Sequence, residues 1–326
     1  MLINQPAMLL NLLSVAVMTL LVATALQALT LLPAARFLAR LSPDAQKKAL
    51  WLFVTTPWGI SIVCVLICLP SLLRLERPFW LDPLVHWHHP LAFQLDSWHG
   101  ATMLVFFLGV GYLVSRKGFD SVRHLNSLNT LRQLSQAGAT RQWDLDQDVV
   151  VLESRTPLAF TAGLRRPKCY VTTGLIQRIS EAELDIIIDH ERAHIRHKDT
   201  QQKLLFAMLA ALYPRPVARR LNQLFSLASE LLADARVSHS YCKFDIAQTL
   251  VSAARVQRLF TGNANDGLVN YFIADDVDQR VRALVQPQEL MPFPWAFSLV
   301  AMVSITILSS IGVDGLHHLL ETGLSH

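Results

Sequence analysis

Charged side chains are scarce in this sequence, and the shortage is concentrated in a few stretches. Only 17% of the 326 residues are charged, whereas charged residues make up about a quarter of a typical soluble domain. A transmembrane helix needs about 20 predominantly apolar residues. Stretches without any charge lie at 1–33, 49–73, 97–115 and 290–313. This pattern argues against a soluble protein and predicts four transmembrane helices.

The predicted spans are about 8–32, 51–73, 100–116 and 294–313. The first is too long for the apolar core of a signal peptide and has no basic segment before it, so we interpret it as a retained anchor. Residues 1–116 are then a membrane domain with three helices and an outer loop at 74–99. Residues 291–326 add the fourth helix and a short outer tail, and residues 117–290 form a hydrophilic domain between them.

Basic residues flank the predicted helices unevenly. They follow the first and third helices and precede the fourth, at Arg36, Arg40, Lys47, Lys48, Arg116, Lys117, Arg123, Arg280 and Arg282. The outer loop has only Arg74 and Arg77, and the tail 314–326 has no Lys or Arg. Because cytoplasmic segments carry the excess of Lys and Arg, we expect a bacterial-type inner-membrane protein with both termini outside and the hydrophilic domain in the cytoplasm. The net charge of +4 reflects these flanks, so we expect the lipid bilayer as a partner and no direct contact with nucleic acid.

Cysteine is also scarce, with four residues at Cys64, Cys68, Cys169 and Cys242. The first two fall inside the second predicted helix, and the others fall in the domain assigned to the reducing cytoplasm. Their spacings match no cysteine-based zinc motif. The sequence therefore argues against a disulfide framework and predicts that these residues are small, packed side chains.

The hydrophilic domain contains the HExxH motif His190-Glu191-Arg192-Ala193-His194. Its two histidines are one helical turn apart on the same face, so their imidazoles can bind one metal ion. Glu191 can then reach a water on that ion and act as the general base of a zinc hydrolase. Ser180 and Glu183 form a capping-box pattern that predicts the start of this helix. A small sheet is predicted before it, from β-rich runs at 149–152, 158–161 and 169–172.

A zinc site of this kind needs a third protein ligand. The residues after His194 contain no glycine turn, which excludes the metzincin pattern. His197 lies on the same helical face, but three donors along one straight helix converge poorly on a tetrahedral ion, so we interpret it as a surface residue or a neighbour of the site. Glu230 lies 36 residues after His194 on a separate predicted helix, which favours a His₂Glu ligand set. Asp234 lies one turn further along and can accept the free N–H of a ligating histidine.

Three segments of the chain resemble the Bla/Mec β-lactam receptor metallopeptidases. Residues 190–199, which end at Asp199, are similar to that family's signature His-Glu-x-x-His-x-x-x-x-Asp. Residues 230–234 are similar to its third-ligand motif, and residues 156–167 are similar to its proline-flanked strand segment. The resemblance implies an α-helical membrane protein with four transmembrane helices and a cytoplasmic α+β gluzincin-type zinc metalloprotease domain.

The same resemblance implies how the site is built and what it acts on. It implies one Zn²⁺ per chain, held by His190, His194 and Glu230, with Asp199 and Asp234 beside the ligands. In that family the protease inactivates a DNA-binding repressor in response to an external signal, so a repressor is the expected protein substrate. The chain departs from the family after the fourth helix, where the receptors have a penicillin-binding domain with Ser-x-x-Lys. Residues 314–326 contain no such motif, and we do not expect acylation by a β-lactam.

Two other functions fit the same motifs. An HtpX-like quality-control protease shares the HExxH motif and a downstream glutamate, and it would act on damaged membrane proteins. A non-catalytic membrane receptor or scaffold would keep the fold, but it would have no need of Glu191 as a general base. A homodimer is compatible with each of these functions.

An oxyanion-stabilising donor is expected near the third ligand. The candidates within two helical turns of Asp234 are His239, Arg236 and Tyr241. Each of them also fits an ordinary residue on a helix surface, so the sequence does not choose among them.

The outer loop is rich in histidine, and its possible metal donors are His86, His88, His89 and His99. Imidazole suits zinc, copper or nickel, so metal sensing by this loop is one hypothesis for the activating signal. The alternative is an interfacial segment, since tryptophan and histidine have apolar bodies and polar tips that suit the membrane surface.

Overall fold

The part of the chain described by the computed structural model comprises residues 2–3, 5–72, 92–94, 97–116, 118, 149–164, 166–261, 267–286 and 290–324. Its helices are α1 (Gln5–Leu38), α2 (Pro43–Leu72), α3 (Trp98–Arg116), α4 (Thr173–Ile176), α5 (Glu181–Arg196), α6 (Asp199–Ala210), α7 (Arg215–Val237), α8 (Lys243–Thr261), α9 (Gly267–Val285) and α10 (Trp295–Leu324). Its strands are β1 (Leu2–Ile3), β2 (Ala92–Phe93), β3 (Val149–Leu152), β4 (Ala159–Ala162) and β5 (Lys168–Thr172).

Four helices in the described part of the chain are long and apolar enough to cross a membrane. They are α1, the segment Pro43–Cys68 of α2, α3, and the segment Trp295–Val313 of α10. Each of them overlaps one of the four uncharged stretches of the sequence. Helix α1 packs against both α2 and α10, and Ser61 of α2 donates a 2.8 Å hydrogen bond to the backbone carbonyl of Ala16 in α1. Among the described residues, α1, α2 and α10 therefore form a packed group.

A three-stranded sheet precedes the helix that carries the HExxH motif. The strand order is β3-β5-β4, with β3 parallel and β4 antiparallel to β5. Val, Tyr, Phe and Thr dominate these strands, which suits a pleated and half-buried surface. Gly163 follows β4 with a φ of +114°, and a Cβ there would lie 2.8 Å from the carbonyl oxygen of Arg166. Only glycine fits this turn without strain, and the turn returns the chain into β5.

Helix α5 begins at the predicted capping box, which is confirmed. The side chain of Ser180 accepts from the backbone N–H of Glu183, and the Glu183 carboxylate accepts from the backbone N–H of Ser180. The face of α5 that bears Leu184 and Ile188 packs against the sheet at Cys169 and Val171. This packing fixes the rotation of α5 about its axis, and it therefore sets the direction in which the two histidines point.

A left-handed residue joins α5 to α6. Lys198 has φ 54° and ψ 37°, a conformation that commonly ends a helix but is unusual for a lysine. Because α6 begins at the next residue, the chain turns sharply and Asp199 falls in the first turn of α6. Asp199 is thereby brought back toward His194 at the end of α5.

Helices α6 and α7 share a core with α1 and α2. The rings of Phe206 and Phe225 stack with their centroids 4.2 Å apart, and Trp51 of α2 meets both rings edge-on. The hydroxyl of Tyr213 donates to Gln27 of α1 at 2.8 Å. The apolar run 204–214 therefore packs in this shared core.

Candidate metal centre

The two histidines of the motif and Glu230 meet between α5 and α7. These two helices pack against each other, with His190 and His194 on α5 and Glu230 on α7. The Nε2 atoms of the histidines are 3.1 Å apart. The Oε2 atom of Glu230 lies 3.2 Å from Nε2 of His190 and 3.5 Å from Nε2 of His194. Three potential ligand atoms thus face one point.

Their separations fit one tetrahedral zinc ion. With Zn–N distances of about 2.0–2.1 Å and Zn–O distances of about 2.0–2.2 Å, two ligand atoms on a tetrahedral ion lie about 3.3–3.5 Å apart. The observed 3.1, 3.2 and 3.5 Å are close to that separation. Two imidazoles and one carboxylate are also a donor set that zinc hydrolases use, and they leave a fourth position for water.

A buried carboxylate holds the other nitrogen of each ring. Nδ1 of His190 lies 3.0 Å from Oδ1 of Asp234, and Nδ1 of His194 lies 2.7 Å from Oδ2 of Asp199. The two carboxylate side chains are 2% and 6% exposed. A carboxylate in this place keeps the proton on Nδ1 and directs Nε2 toward the metal. The structure therefore brings together the three predicted ligands and the two predicted carboxylates.

Basic side chains also surround the site, namely those of Lys47, Lys203 and Arg280. Sequence reasoning did not assign these residues to it. Arg280 of α9 donates from Nε and Nη2 to Asp234, at 2.7 Å in each case. Lys203 of α6 donates to Oε1 of Glu230 at 3.1 Å, and Lys47 of α2 donates to Oδ1 of Asp199 at 2.5 Å. In the sequence, Lys47 and Arg280 are indistinguishable from the other basic residues that flank the apolar helices. No local pattern marks Lys203.

These contacts shift the protonation equilibria of the metal-free site. Burial disfavours the imidazolium of His190, but hydrogen bonds to Asp234 and Glu230 outweigh this effect and raise its pKa to about 9. Burial alone would raise the pKa of Glu230, but hydrogen bonds from the two histidines, together with the Lys203 charge, hold that pKa well below its usual range. Because a ligating histidine must be neutral, metal binding has to displace a proton from His190.

Glu191 faces strand β4. The hydroxyl of Thr161 in β4 lies 2.8 Å from Oε2 of Glu191 and 3.0 Å from its backbone carbonyl oxygen. A hydroxyl has one proton, and a bond to the charged carboxylate is the stronger of the two. Within the described sheet, β4 pairs with β5 alone. An edge strand therefore borders the residue that sequence reasoning assigned as the general base.

The remaining predicted residues lie around this centre. His197 is the C-cap of α5, and within the described residues the group of donors close enough to share a metal consists of His190, His194 and Glu230. The hydroxyl of Tyr241 donates to Asp189 at 3.0 Å.

His239 is exposed in the turn after α7, and its Nδ1 atom lies 3.0 Å from the carbonyl oxygen of Ala235 in the last turn of that helix. Arg236 interacts electrostatically with Asp44 in the first turn of α2. A role for His239, Arg236 or Tyr241 at the oxyanion stays a prediction.

Most of the outer loop, including His86, His88 and His89, lies outside the described residues. His99 is described as part of α3. Its ring stacks on Trp98 with centroids 3.6 Å apart, and its Nδ1 atom lies 2.9 Å from the hydroxyl oxygen of Ser14 in α1. This contact connects α3 to α1 and involves one of the two ring nitrogens of His99. Metal sensing by the loop stays a prediction.

Comparison with known proteins gives a family. The family model described as BlaR1 peptidase M56 matches residues 97–284, which is more than half of the 326 residues. The Protease HtpX homolog of Streptococcus gordonii is 29% identical over 130 residues, which are 36% of this chain and 43% of that protein. The Protease HtpX homolog of Acidiphilium cryptum is 45% identical over 65 residues, which are 19% of this chain and 22% of that protein.

The chain thus spans less than half the length of these curated relatives. The family match covers the sheet, the HExxH helix, Glu230 and Arg280, so it contains every element that forms the candidate metal centre except α2. The resemblance to membrane metallopeptidases is confirmed at the level of the family, while a specific relation to the β-lactam receptors stays a prediction. The chain belongs to the BlaR1 peptidase M56 family.

Proposed function

We propose that this chain is an integral-membrane zinc endopeptidase that hydrolyses peptide bonds on the cytoplasmic side of a bacterial-type inner membrane. The observation that carries the proposal is the triangle of His190, His194 and Glu230, whose ligand atoms are spaced as on one tetrahedral zinc ion. Glu191, next to the first ligand and held by Thr161, supplies the carboxylate that a hydrolase of this kind requires.

When bound, Zn²⁺ lowers the pKa of a coordinated water to about 7 and polarises the scissile carbonyl. Glu191 accepts the proton of the attacking water and later passes it to the leaving amine. Asp234 and Asp199 keep the ligand rings in place. An extended substrate can pair through its main chain with strand β4, which needs little sequence specificity. The chain thus provides the ligands, the base and a surface for the substrate.

In our proposal, the physiological substrate is a DNA-binding repressor, which the protease inactivates in response to a signal. Support comes from the segments 190–199, 230–234 and 156–167, which are similar to the β-lactam receptor metallopeptidases, and from the basic flanks that favour a cytoplasmic site. The signal would then enter through the membrane helices, the outer loop or a partner protein.

Turnover of membrane proteins is the second candidate, and a specific observation favours it. Helices α6 and α7, which border the metal centre, pack directly on α1 and α2. A site so close to the apolar helices suits a substrate that is itself in the membrane. The partial similarity to the HtpX homologs points in the same direction.

The catalytic proposal is tested with Glu191→Gln and with Glu181→Gln as the matched control. Glu181 is an exposed residue in the first turn of the same helix, so it should tolerate the change. Glu191→Gln should retain zinc and lose about 10²–10⁴-fold in peptidase rate, because the ligands survive while the base is lost. Near-normal cleavage by Glu191→Gln, or a metal-free parent protein, would contradict the proposal.

The two substrate classes are separated in cells that carry Glu191→Gln. If the repressor proposal is correct, one DNA-binding protein stays intact and bound to its operator under conditions that normally induce its loss. Accumulation of many membrane proteins with no such repressor would favour turnover.

Cysteines placed in 120–145 and 314–326 test the topology, since an impermeant reagent should label only the second segment in intact cells.

A further inference from the structure

Lys47 differs from the other basic residues that follow the first apolar helix. It lies near the beginning of α2, yet it is 7% exposed. The next residue, Lys48, has a side chain that is 58% exposed and pairs with Asp44 one turn earlier at 2.7 Å. A flanking lysine usually extends into water at the membrane surface. The burial of Lys47 therefore requires specific partners, because an unpaired buried charge is strongly unfavourable.

Those partners lie on α6 and α7. The Nζ atom of Lys47 lies 2.5 Å from Oδ1 of Asp199 in α6 and 5.4 Å from the ring centroid of Phe225 in α7. The other oxygen of Asp199, Oδ2, lies 2.7 Å from Nδ1 of His194. A continuous path of contacts thus runs from α2 through α6 to a metal ligand on α5.

Each oxygen of Asp199 has its own partner in this path. One contact alone would allow the carboxylate to rotate about its χ2 bond, whereas contacts to both oxygens fix its plane. Asp199 is 4% exposed, so an oxygen that lost Lys47 would be poorly compensated by water. A carboxylate that is less firmly held would in turn restrain the imidazole of His194 less firmly.

We propose that Lys47 is a positioning residue of the metal centre. From α2 it holds Asp199, and Asp199 holds His194, so the geometry of the metal ligands depends on how α2 packs against α6 and α7. This inference rests on the zinc site of the proposed function. It adds a residue that lies outside the matched peptidase region 97–284, on a helix long and apolar enough to cross the membrane.

The test compares Lys47→Met with Lys48→Met in the full chain, purified in detergent. Zinc affinity is measured by competition with a chelator, and the ligand geometry is read from the visible absorption spectrum of the Co²⁺-loaded protein. Changes in residues that orient metal ligands commonly weaken metal binding by about 10–100-fold. We expect Lys47→Met to weaken zinc binding by about tenfold or more and to change the Co²⁺ spectrum, while Lys48→Met should leave both unchanged.

Asp199→Asn provides the second arm. If Lys47 acts through Asp199, Lys47→Met should add little to the loss of zinc affinity in an Asp199→Asn background. The double variant buries no unpaired charge at this position, so it also serves if Lys47→Met alone does not fold. Parental zinc affinity and an unchanged Co²⁺ spectrum in Lys47→Met, or in the double variant, would overturn the proposal. An equal loss in Lys48→Met would also overturn it, whereas a parent protein that binds no zinc would contradict the proposed function instead.

Discussion

Replacing Arg280 by methionine should destabilise the protein far more than the same replacement at Arg282. The side chain of Arg280 is 13% exposed and forks onto both oxygens of Asp234, which is 2% exposed. Arg282 lies two residues later on the same helix. Its side chain is 63% exposed and pairs with Asp278 at 2.8 Å. The two variants therefore remove the same side chain from one helix, but from opposite environments.

The expected magnitudes follow from that contrast. Removing one partner of a buried ion pair costs about 3–5 kcal/mol, because the other charge stays buried. Without Arg280, the buried Asp234 carboxylate would depend on its contact with Nδ1 of His190. An exposed pair four residues apart on a helix contributes about 0.3–0.5 kcal/mol. In a domain of this size, 1 kcal/mol shifts the melting temperature by about 2–4 °C. We expect a decrease of roughly 6–20 °C for Arg280→Met and roughly 1–2 °C for Arg282→Met.

The assay is thermal unfolding of the full chain in detergent, first stripped of metal and then with saturating zinc. Arg280→Lys is the informative intermediate, since lysine keeps the charge but cannot form the two parallel hydrogen bonds. It should unfold between the parent and Arg280→Met. Equal melting temperatures for Arg280→Met and Arg282→Met would show that the pair with Asp234 does not stabilise the domain.

Two further predictions concern the base and the metal ligands. Thr161→Val should lower kcat by about tenfold or more, because a hydrogen bond to a charged group contributes about 1.5–3 kcal/mol. Zinc affinity should stay at the parental value, because the hydroxyl of Thr161 bonds to Glu191, which is the proposed base and not a proposed ligand. Steady-state kinetics with a peptide substrate checks this, and an unchanged kcat would remove Thr161 from the mechanism. The apparent zinc affinity should rise with pH up to about 9 and then level off, because the pKa of His190 is raised to about 9 in the metal-free protein and zinc must displace that proton. The stabilisation that protonated His190 gives the metal-free protein is fully present below its unfolded pKa of about 6.5 and is lost as the pH rises through about 9. Chelator competition at several pH values measures this dependence, and a zinc affinity that is independent of pH would contradict it.

The sequence alone determined the features that arise from local periodicity. Two histidines four residues apart share a helical face in any α-helix, and Ser180 with Glu183 begins that helix through a short-range hydrogen-bond pattern. The four apolar helices follow from runs of side chains without charge, which is a property of composition and length. Such features need no knowledge of which elements become neighbours.

The choice of Glu230 as the third ligand was inferred from spacing and from resemblance, and the structure supplied the distances. Sequence reasoning also considered His197 as a ligand, because it lies on the same helical face as His190 and His194. In the structure, α5 ends at Arg196 and the chain turns at Lys198. The packing of α7 on α5 then brings Glu230 to the histidines across 36 to 40 residues of sequence.

Only the tertiary structure revealed the cations around the centre. Lys47 is 152 residues from Asp199 in sequence, and Arg280 is 46 residues from Asp234. In the sequence both are basic residues near apolar helices, where the same composition equally suits a solvated flank. Whether such a lysine is in water or buried beside a carboxylate depends on which helices pack together. The long-range packing of side chains from α2, α5, α6 and α7 determines whether the lysine is buried. A local pattern of residues carries no information about that packing.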